Sequence, residues 1–438
     1  MSKKYKFLLS SLVTMASMPM LAAACTNDQK VRSEAEQKEY LETEIKKLKK
    51  SDQLALIDKL FTDADQKAEL ISKLNSGAGI VSAIVWYMKS AEQRMASLQA
   101  YALATAAFDN LKLKAENDNI EYDKVNKETG IVSNPTEGKA IPVVFMDIDE
   151  TVFMNEYTES WTVVKNNGKF SEDLKDSVDA KGQRRAIPGA IEFIKHVFEN
   201  GGVVLFNSGI RQLESSIQGI KKNLIAAGLP EKYVHDWMFW CSGVIPVDKD
   251  GQFSDKTPWK TAIEAFKNTE DSSERKKLAK ATSKNQRMNA VSDNTAGWNF
   301  GASQTGSGDK IVAKVIMKIG DDFNDFYDDA YKPLESNDKN VEFSKNEKIQ
   351  KLFTDYKGAQ GVKVTATYQT NESGYVTGVN ANIQDLSWHQ FNVQVPGNAM
   401  YGGWQKEFSY GSYKKLWEAL KQINANSNDA KESTTTGQ

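Results

Sequence analysis

The chain has 438 residues, of which 40% are hydrophobic and 26% are charged, so it is long enough to bury one large core or two medium ones. Lysine and arginine number 56 against 58 acidic residues, and the formal net charge is −2. This balance argues against binding of a nucleic acid polymer, which needs a broad basic surface. With only two cysteines and three histidines, the chain offers no disulfide framework and no ligand set for zinc.

The amino terminus is typical of a secreted protein. Three lysines among the first six residues precede an apolar stretch from Phe7 to Ala24, which ends in small residues before Cys25. We interpret residues 1–24 as a signal peptide. Small residues followed by cysteine resemble a bacterial lipobox, which implies lipid attachment to Cys25 and an anchor on the extracellular face of the cell membrane. The alternative is an uncleaved transmembrane helix, which would be at the short limit for spanning a bilayer.

Behind the signal peptide, composition divides the chain into three parts. Residues 25–75 are highly charged with scattered leucine and isoleucine, which indicates a helical stalk or spacer. Residues 76–424 form the predicted folded domain, and the polar tail 425–438 is predicted to be disordered. The domain opens with a predicted helix over 84–113, because apolar side chains recur there at helical spacing. These side chains are Ala91, Met95, Leu98 and Ala102.

A strand-like apolar run beginning at Val143 delivers two aspartates, Asp147 and Asp149, to its carboxyl end. Because side chains alternate along a strand, both carboxylates project the same way, while Ile148 between them turns toward the core. Two carboxylates this close cannot both remain ionised cheaply, so one gains a proton or a cation lies between them. A neutral acid can donate to a leaving group, and a metal-bound carboxylate can attack phosphorus. Taken alone, the motif is also compatible with an Asp-rich cap of a helix or turn.

A second buried-strand pattern starts at Gly201 and ends in a polar turn that contains Ser208, Gly209 and Arg211. A serine hydroxyl and free backbone N–H groups at a helix start bind phosphate oxygens well. The three residues of this turn are therefore candidates for phosphate binding. Taken singly, however, a serine here is more often an ordinary N-cap of the helix predicted over 211–227.

A third strand pattern ends in Gly320 and is followed by Asp321 and Asp325. Glycine permits a tight turn, and acids four residues apart would share one face of a helix that starts there. Alone, this is also typical of an acidic helix start. Together with Asp147 and Asp149, these residues form a repulsive cluster unless a hard divalent cation neutralises it. Oxygen ligands with no nearby histidine suit Mg²⁺.

Two polar segments interrupt the strand and helix pattern. Residues 248–310 form one insertion, and residues 355–385 form another, in which alternating apolar side chains on both sides of a turn near Asn371 predict a hairpin. These insertions either cap the site and set substrate choice, or vary at the surface without a catalytic role.

In chain order, an acid pair, a hydroxyl, a lysine and a second acid pair resemble the haloacid dehalogenase-like superfamily of phosphatases. More narrowly, the chain is similar to the class C acid phosphatases, bacterial surface lipoproteins that act as phosphomonoesterases and 5′-nucleotidases. The narrower resemblance is carried by residues 86–101, 185–190 and 396–404. It implies an α/β fold with a Rossmann-like, doubly wound, mainly parallel sheet, to which an N-terminal helical part and the inserted segments are added.

Carried over residue by residue, the resemblance implies Asp147 as the nucleophile and a ligand of Mg²⁺. Asp149 would be the general acid and base, and its backbone carbonyl, Asp321 and Asp325 would complete the protein's ligands to the metal. Ser208 would hold a phosphoryl oxygen. The resemblance also implies small phosphomonoesters such as nucleoside 5′-monophosphates as substrates, and a possible homodimer.

The family also requires a lysine that contacts the nucleophile and the phosphoryl group. Lys284 lies nearer the last acidic turn and is the first choice, and Lys256 fits the local pattern almost as well. Tyr401 is a candidate for stacking on a nucleobase, or else it packs on Trp404. A hypothesis from another class is a surface adhesin or ligand-binding lipoprotein built on a phosphatase scaffold.

Overall fold

The computed structural model describes residues 47–48, 52, 78–165, 170–301, 308–331, 337–373 and 376–398. The chain divides into two compact units, Val81–Gln405 and Met1–Ile80 with Lys406–Gln438, and nearly all described residues belong to the first. The predicted signal peptide, Cys25, the tail, Tyr401 and almost all of the stalk lie outside the described residues. Within the described part, no helix combines the length and the apolar character that crossing a membrane requires.

A sheet of five strands in the order β2-β1-β3-β5-β4 is the centre of the larger unit. The strands are β1 (Ile141–Met146), β2 (Val203–Phe206), β3 (Ala313–Gly320), β4 (Ala359–Thr370) and β5 (Val376–Gln394). The pairs β1–β2, β1–β3 and β3–β5 are parallel, and only β4–β5 is antiparallel among these strands. The prediction of an α/β fold with a mainly parallel sheet is confirmed.

Helices precede β1 and fill the connections from β1 to β4. They are α1 (Ala78–Lys89), α2 (Ala91–Lys112), α3 (Glu156–Lys165), α4 (Glu172–Lys181), α5 (Ala190–Glu199), α6 (Glu214–Ala226), α7 (Pro258–Lys267), α8 (Ser272–Ala279), α9 (Lys284–Asp293), α10 (Asn324–Tyr331), α11 (Asn337–Ser344) and α12 (Glu347–Thr354). Strands β1 and β2 are buried at every position. Such continuous apolar runs are typical of parallel strands covered on both faces.

The strand order creates a switch point between β1 and β3. From β1 the chain crosses to β2 on one side, and from β3 it continues toward β5 on the other side. Loops that leave neighbouring parallel strands in opposite directions open a crevice at their carboxyl ends, and ligands of open α/β sheets bind there. The predicted acidic residues follow these two strands.

The N-terminal helical part supports the turn after β1. Instead of one helix over 84–113, the structure has two, because Ser90 ends α1 and caps α2 by accepting the N–H of Gln93 at 3.1 Å. The buried hydroxyls of Tyr87 and Tyr101 donate to the carbonyls of Glu150 and Thr151 at 3.2 and 2.6 Å. Helices α1 and α2 therefore fix the backbone of the segment that follows Asp149.

Helix α4 is tightly held on α6. A Cβ at Gly219 of α6 would overlap the carbonyl oxygen of Asp179, and a Cβ at Gly182, which ends α4 in a left-handed conformation, would overlap the carbonyl of Gly219. Glycine at both positions lets the two backbones come into direct contact. This contact holds the backbone of α4 against α6 and so sets the positions from which the side chains of α4 extend.

Both predicted insertions pack on, or belong to, the central sheet. Residues 248–310 contain α7, α8 and α9, and α9 packs against β3 and α10. Strands β4 and β5 form the predicted hairpin, whose second strand continues into the central sheet and pairs with β3 between Phe391 and Gln394.

Candidate functional site

The polar turns predicted from the sequence meet at one edge of the sheet. Met146, the last residue of β1, pairs with Phe206 on one side and with Ile319 on the other. The residues that follow these three therefore lie side by side. The N–H of Asp147 donates to the carbonyl of Ile319, and the N–H of Asn207 donates to the carbonyl of Met146. This register brings together residues that are far apart in sequence.

Three carboxylates form a cluster at this edge. Carboxylate oxygens of Asp147, Asp321 and Asp325 all lie within 4.8 Å of one another. The ammonium group of Lys284 lies between two of them, 2.5 Å from Asp147 Oδ1 and 2.7 Å from Asp325 Oδ1. The structure therefore brings Lys284 to the acidic residues, as the first choice of lysine requires.

Burial controls the electrostatics of the cluster. It raises the pKa of Asp147 to about 7, although Lys284 opposes the shift, and Asp325 and Asp149 add to it. Burial and the negative charges of Asp325 and Glu150 raise the pKa of Asp321 well above its ordinary value. One ammonium group does not compensate one buried and two partly buried carboxylates, so the protein alone leaves this site short of positive charge.

The donor set fits a divalent metal ion. Asp147, Asp321 and Asp325 offer only oxygen ligands, and their closeness is costly unless a cation neutralises them. The side chain of Asp149 is not part of this cluster. Among the described residues, these three carboxylates are the ones that would hold the ion, which would supply positive charge next to a phosphoryl group.

Glycines make room for two of these carboxylates. A Cβ at Gly320 would overlap the carboxylate of Asp325, and a Cβ at Gly397 would overlap that of Asp321. Gly397 belongs to the stretch 396–404, of which only the first residues are described. Next to it, Asn398 donates to Glu150 Oε1 at 3.2 Å. The beginning of this C-terminal stretch therefore packs directly on the acidic turns.

The backbone of the turn after β1 is strained. Glu150 has a φ of 55°, a left-handed conformation that is uncommon outside glycine and is found often at functional sites. Its side chain is buried. The hydroxyl of Tyr87 and the amide of Asn398 are among the contacts that hold this residue, and the hydroxyl of Tyr101 holds the next one, Thr151.

Asp149 occupies a different environment from Asp147. Its carboxylate pairs with Arg184 and lies 3.1 Å from the ammonium of Lys175. Burial alone would raise the pKa of Asp149, but Lys175 and Arg184 outweigh burial and lower it. Asp179, which is fully buried, pairs with Lys175 at 2.6 Å and so extends this second group of charges, which is separate from the acidic cluster. The ionised form of Asp149 is the stable one in this arrangement.

The other predicted residues are placed as follows. Ser208 is buried at the end of β2, and its Oγ accepts the N–H of Ile210 at 3.3 Å. Gly209 is exposed, with open space where a Cβ would be. The guanidinium of Arg211 pairs with Asp176 and Asp173 of α4. It is therefore paired within the protein in this structure, and its contact with substrate stays a prediction.

Lys256 is not brought to the acidic cluster by any ion pair in the described part of the chain. Burial lowers the pKa of its ammonium group, which is the expected effect where a carboxylate partner is missing. Of the two candidate lysines, Lys284 is the one whose side chain bridges Asp147 and Asp325.

A model of the family described as "HAD superfamily, subfamily IIIB (Acid phosphatase)" matches residues 68–357. This span is well over half of the chain and contains all four acidic positions and Lys284. The chain belongs to this acid phosphatase subfamily. It is a phosphoric monoester hydrolase, and the family favours this activity over the adhesin hypothesis.

The solved structures that resemble the chain include two of one enzyme. They are the class C acid phosphatase from Bacillus anthracis and the same enzyme with tungstate bound. Each is 16% identical, with a TM-score of 0.41, and the match covers 78% of this chain and 95% of that one. The assignment of this chain to the acid phosphatase subfamily rests on the family match and not on these structures.

Several residues at the site escaped the sequence interpretation. Lys175 and Asp179 stand four apart on α4, a spacing typical of a solvated helix face, yet both are buried. Arg184, which pairs with Asp149, is one of two adjacent arginines that the sequence does not distinguish. Only the burial of α4 against α6 reveals that these charges face the site.

The acidic cluster predicts metal-dependent stability. We expect MgCl₂ to raise the melting temperature of the metal-free acid phosphatase, because an ion bound only by the folded state at 100 times its Kd adds about 2.7 kcal/mol. Asp321→Asn should remove the increase, which differential scanning fluorimetry measures without any assay of activity. Asp293→Asn, at an exposed ion pair with Lys363, should leave it intact. An undiminished increase in the Asp321 variant would place the ion elsewhere.

Proposed function

We propose that this acid phosphatase hydrolyses nucleoside 5′-monophosphates in a Mg²⁺-dependent reaction through an aspartyl-phosphate intermediate, with Asp147 as the nucleophile. The observation that carries the proposal is the placement of Asp147 Oδ1, 2.5 Å from the Lys284 ammonium and within the cluster formed with Asp321 and Asp325. A carboxylate, a fixed ammonium group and two further acids for a cation are the groups that phosphoryl transfer requires.

In the first half of the reaction, an oxygen of Asp147 attacks phosphorus and the bond to the leaving oxygen breaks. Lys284 is placed to bind a phosphoryl oxygen while it contacts the nucleophile, so it reduces the repulsion between two anions. The hydroxyl of Ser208, at the end of the adjacent strand β2, is our candidate for a second phosphoryl oxygen. Mg²⁺ would supply the remaining positive charge.

Asp149 is our candidate for the proton transfers. It would enter the first half-reaction in its minor, protonated form and give that proton to the departing alkoxide. Left ionised, it would then take a proton from the water that hydrolyses the aspartyl-phosphate, which restores the protonated form. The two cations that contact it, Lys175 and Arg184, hold its carboxylate in one orientation. They also favour its ionised form, which is the form that the second half-reaction uses.

Removal of the nucleophile tests the proposal. Asp147→Asn should lower kcat for p-nitrophenyl phosphate by about 10⁴-fold or more, because the covalent path is lost. The melting temperature should be kept, since the amide has the same shape. Phosphate release with and without EDTA is the measurement. Hydrolysis at the rate of the unmodified enzyme would remove Asp147 from its role.

Tyr401, which lies outside the described residues, is our candidate for the nucleobase contact. Stacking of a base on an aromatic side chain contributes about 1–3 kcal/mol, or about 5- to 150-fold in affinity. Tyr401→Ala should therefore raise KM for AMP by this factor and leave KM for p-nitrophenyl phosphate unchanged. Tyr401→Phe keeps the ring and serves as the control. Equal losses on both substrates would assign Tyr401 a structural role beside Trp404.

We also propose that the enzyme is anchored to the outer face of the cell membrane through lipid on Cys25. The support is the lipobox-like sequence that ends at this cysteine. In the native host, Cys25→Ser should move phosphatase activity from the membrane fraction to the medium or the soluble fraction. Fractionation followed by an activity assay measures the change. A variant that stays in the membrane fraction would favour the alternative of an uncleaved transmembrane helix.

A further inference from the structure

The main chain around Lys284 is held from two directions. Its N–H donates to Asp328 Oδ2 at 2.9 Å, and its carbonyl accepts the side-chain amide of Asn207 at 3.0 Å. The neighbouring N–H, of Asn285, donates to the other carboxylate oxygen of Asp328, also at 2.9 Å. Lys284 is the first residue of α9, so these contacts fix the start of the helix and not only one side chain.

Asp328 satisfies donors that α9 cannot satisfy by itself. The first N–H groups of a helix have no partner within the helix, and they carry a partial positive charge. The usual solution is a side chain just before the helix, and Ser283 Oγ does bind the N–H of Gln286 at 3.0 Å. The two preceding N–H groups are bound by the carboxylate of Asp328, which is 6% exposed and comes from α10.

The element that supplies Asp328 also supplies Asp325, which binds the other end of Lys284. The element α10, whose backbone is kinked at Tyr327, therefore holds the lysine through its backbone, by Asp328, and through its ammonium group, by Asp325 at 2.7 Å. A lysine side chain has four rotatable bonds and loses much conformational entropy when fixed. A fixed backbone at both peptide groups reduces the positions that the ammonium group can reach.

Strand β4 of the hairpin binds the same two helices, α9 and α10, at other residues. The side-chain amide of Asn285 donates to Asp329 Oδ1 at 2.7 Å and to the carbonyl of Val364 in β4 at 2.8 Å. Asn289, one turn later, donates to the same carbonyl at 2.8 Å, and the hydroxyl of Tyr368 in β4 binds the carbonyl of Asp329 at 2.8 Å. The hairpin thus contacts both α9 and α10.

We propose that Asp328 is a positioning residue of this phosphatase: its carboxylate fixes the first turn of α9, and thereby the ammonium group of Lys284, against Asp147 and Asp325. The hairpin β4–β5 supports the same turn of α9 through the bond between Asn285 and the carbonyl of Val364. The inference rests on the proposed role of Lys284. Displacements of about 1 Å in a catalytic group can cost about 100-fold in rate, so a residue that never touches the substrate can still control the reaction.

A double-mutant cycle tests the proposal. Asp328→Asn keeps the shape but replaces one acceptor oxygen by an amide group that faces an N–H donor. In the otherwise unmodified enzyme we expect it to lower kcat/KM for p-nitrophenyl phosphate by about 10- to 100-fold, as is typical for partners that orient functional groups. In the Lys284→Ala background its effect should be within about 2-fold, because there is no ammonium group left to position.

The outcomes separate the two proposals. Full activity of Lys284→Ala would contradict the role of Lys284 in the proposed function. A large loss in Lys284→Ala, combined with an equal loss from Asp328→Asn in both backgrounds, would overturn only the positioning role. Where turnover is too slow to measure, the same cycle is built from the affinity for orthovanadate. It is measured by fluorescence titration of the unmodified enzyme, the two single variants and the double variant.

Two further variants complete the design. Asp293→Asn changes the last residue of α9, whose ion pair with Lys363 is partly exposed, and it should leave kcat/KM unchanged in both backgrounds. Asp328→Ser retains one acceptor without a charge and replaces Asp328→Asn if that protein does not fold. Thermal denaturation of every variant confirms that the rates compare folded proteins.

Discussion

The structure depends on holding three carboxylates together in one crevice, where the ammonium group of Lys284 pairs with two of them. Like charges at this separation repel strongly once they are removed from water, and burial raises the pKa of both Asp147 and Asp321. Only a rigid surrounding keeps such groups together. The closeness of the backbone at Gly320 and Gly397, where a Cβ would overlap Asp325 or Asp321, shows how fully the acidic groups are enclosed. The same enclosure makes the crevice suitable for a dication and a phosphoryl group.

Elements from the whole described domain contribute to that rigidity. Helices α1 and α2 bind the carbonyls after Asp149 through two tyrosine hydroxyls, and α9 and α10 bind each other through Asp328. The hairpin of β4 and β5, for which the sequence left open a surface position without a catalytic role, supplies the carbonyl of Val364, which accepts the side-chain amides of Asn285 and Asn289 in α9. Its second strand is part of the central sheet. Segments that precede and follow the acidic motifs in sequence therefore act on the geometry of the site.

The sequence predicted the parts of this arrangement that depend on local pattern. Apolar runs ending in acids gave β1 and β3, and strands of an α/β sheet place such ends together, so the convergence of Asp147, Asp321 and Asp325 could be predicted without a structure. The choice between Lys284 and Lys256 could not, because both lie in charged segments and only the tertiary packing of α9 decides which ammonium group reaches the acids. The ion pairs of Arg211 with Asp173 and Asp176 of α4 could not be predicted for the same reason, because the charged residues of α4 look solvated in the sequence.

Helix α4 also explains how two aspartates from one strand acquire opposite properties. Asp147 is buried among other acids, and its pKa rises to about 7, whereas Asp149 faces Lys175 and Arg184 and its pKa falls. Environments that separate the pKa values of neighbouring groups are a frequent basis for dividing catalytic roles. Because α4 also binds Arg211 through Asp176, it connects the Asp149 side of the crevice to the turn that carries Ser208. Its glycine-mediated contact with α6 brings the backbones of the two helices together, so α4 forms one wall of the site and is anchored on the domain behind it.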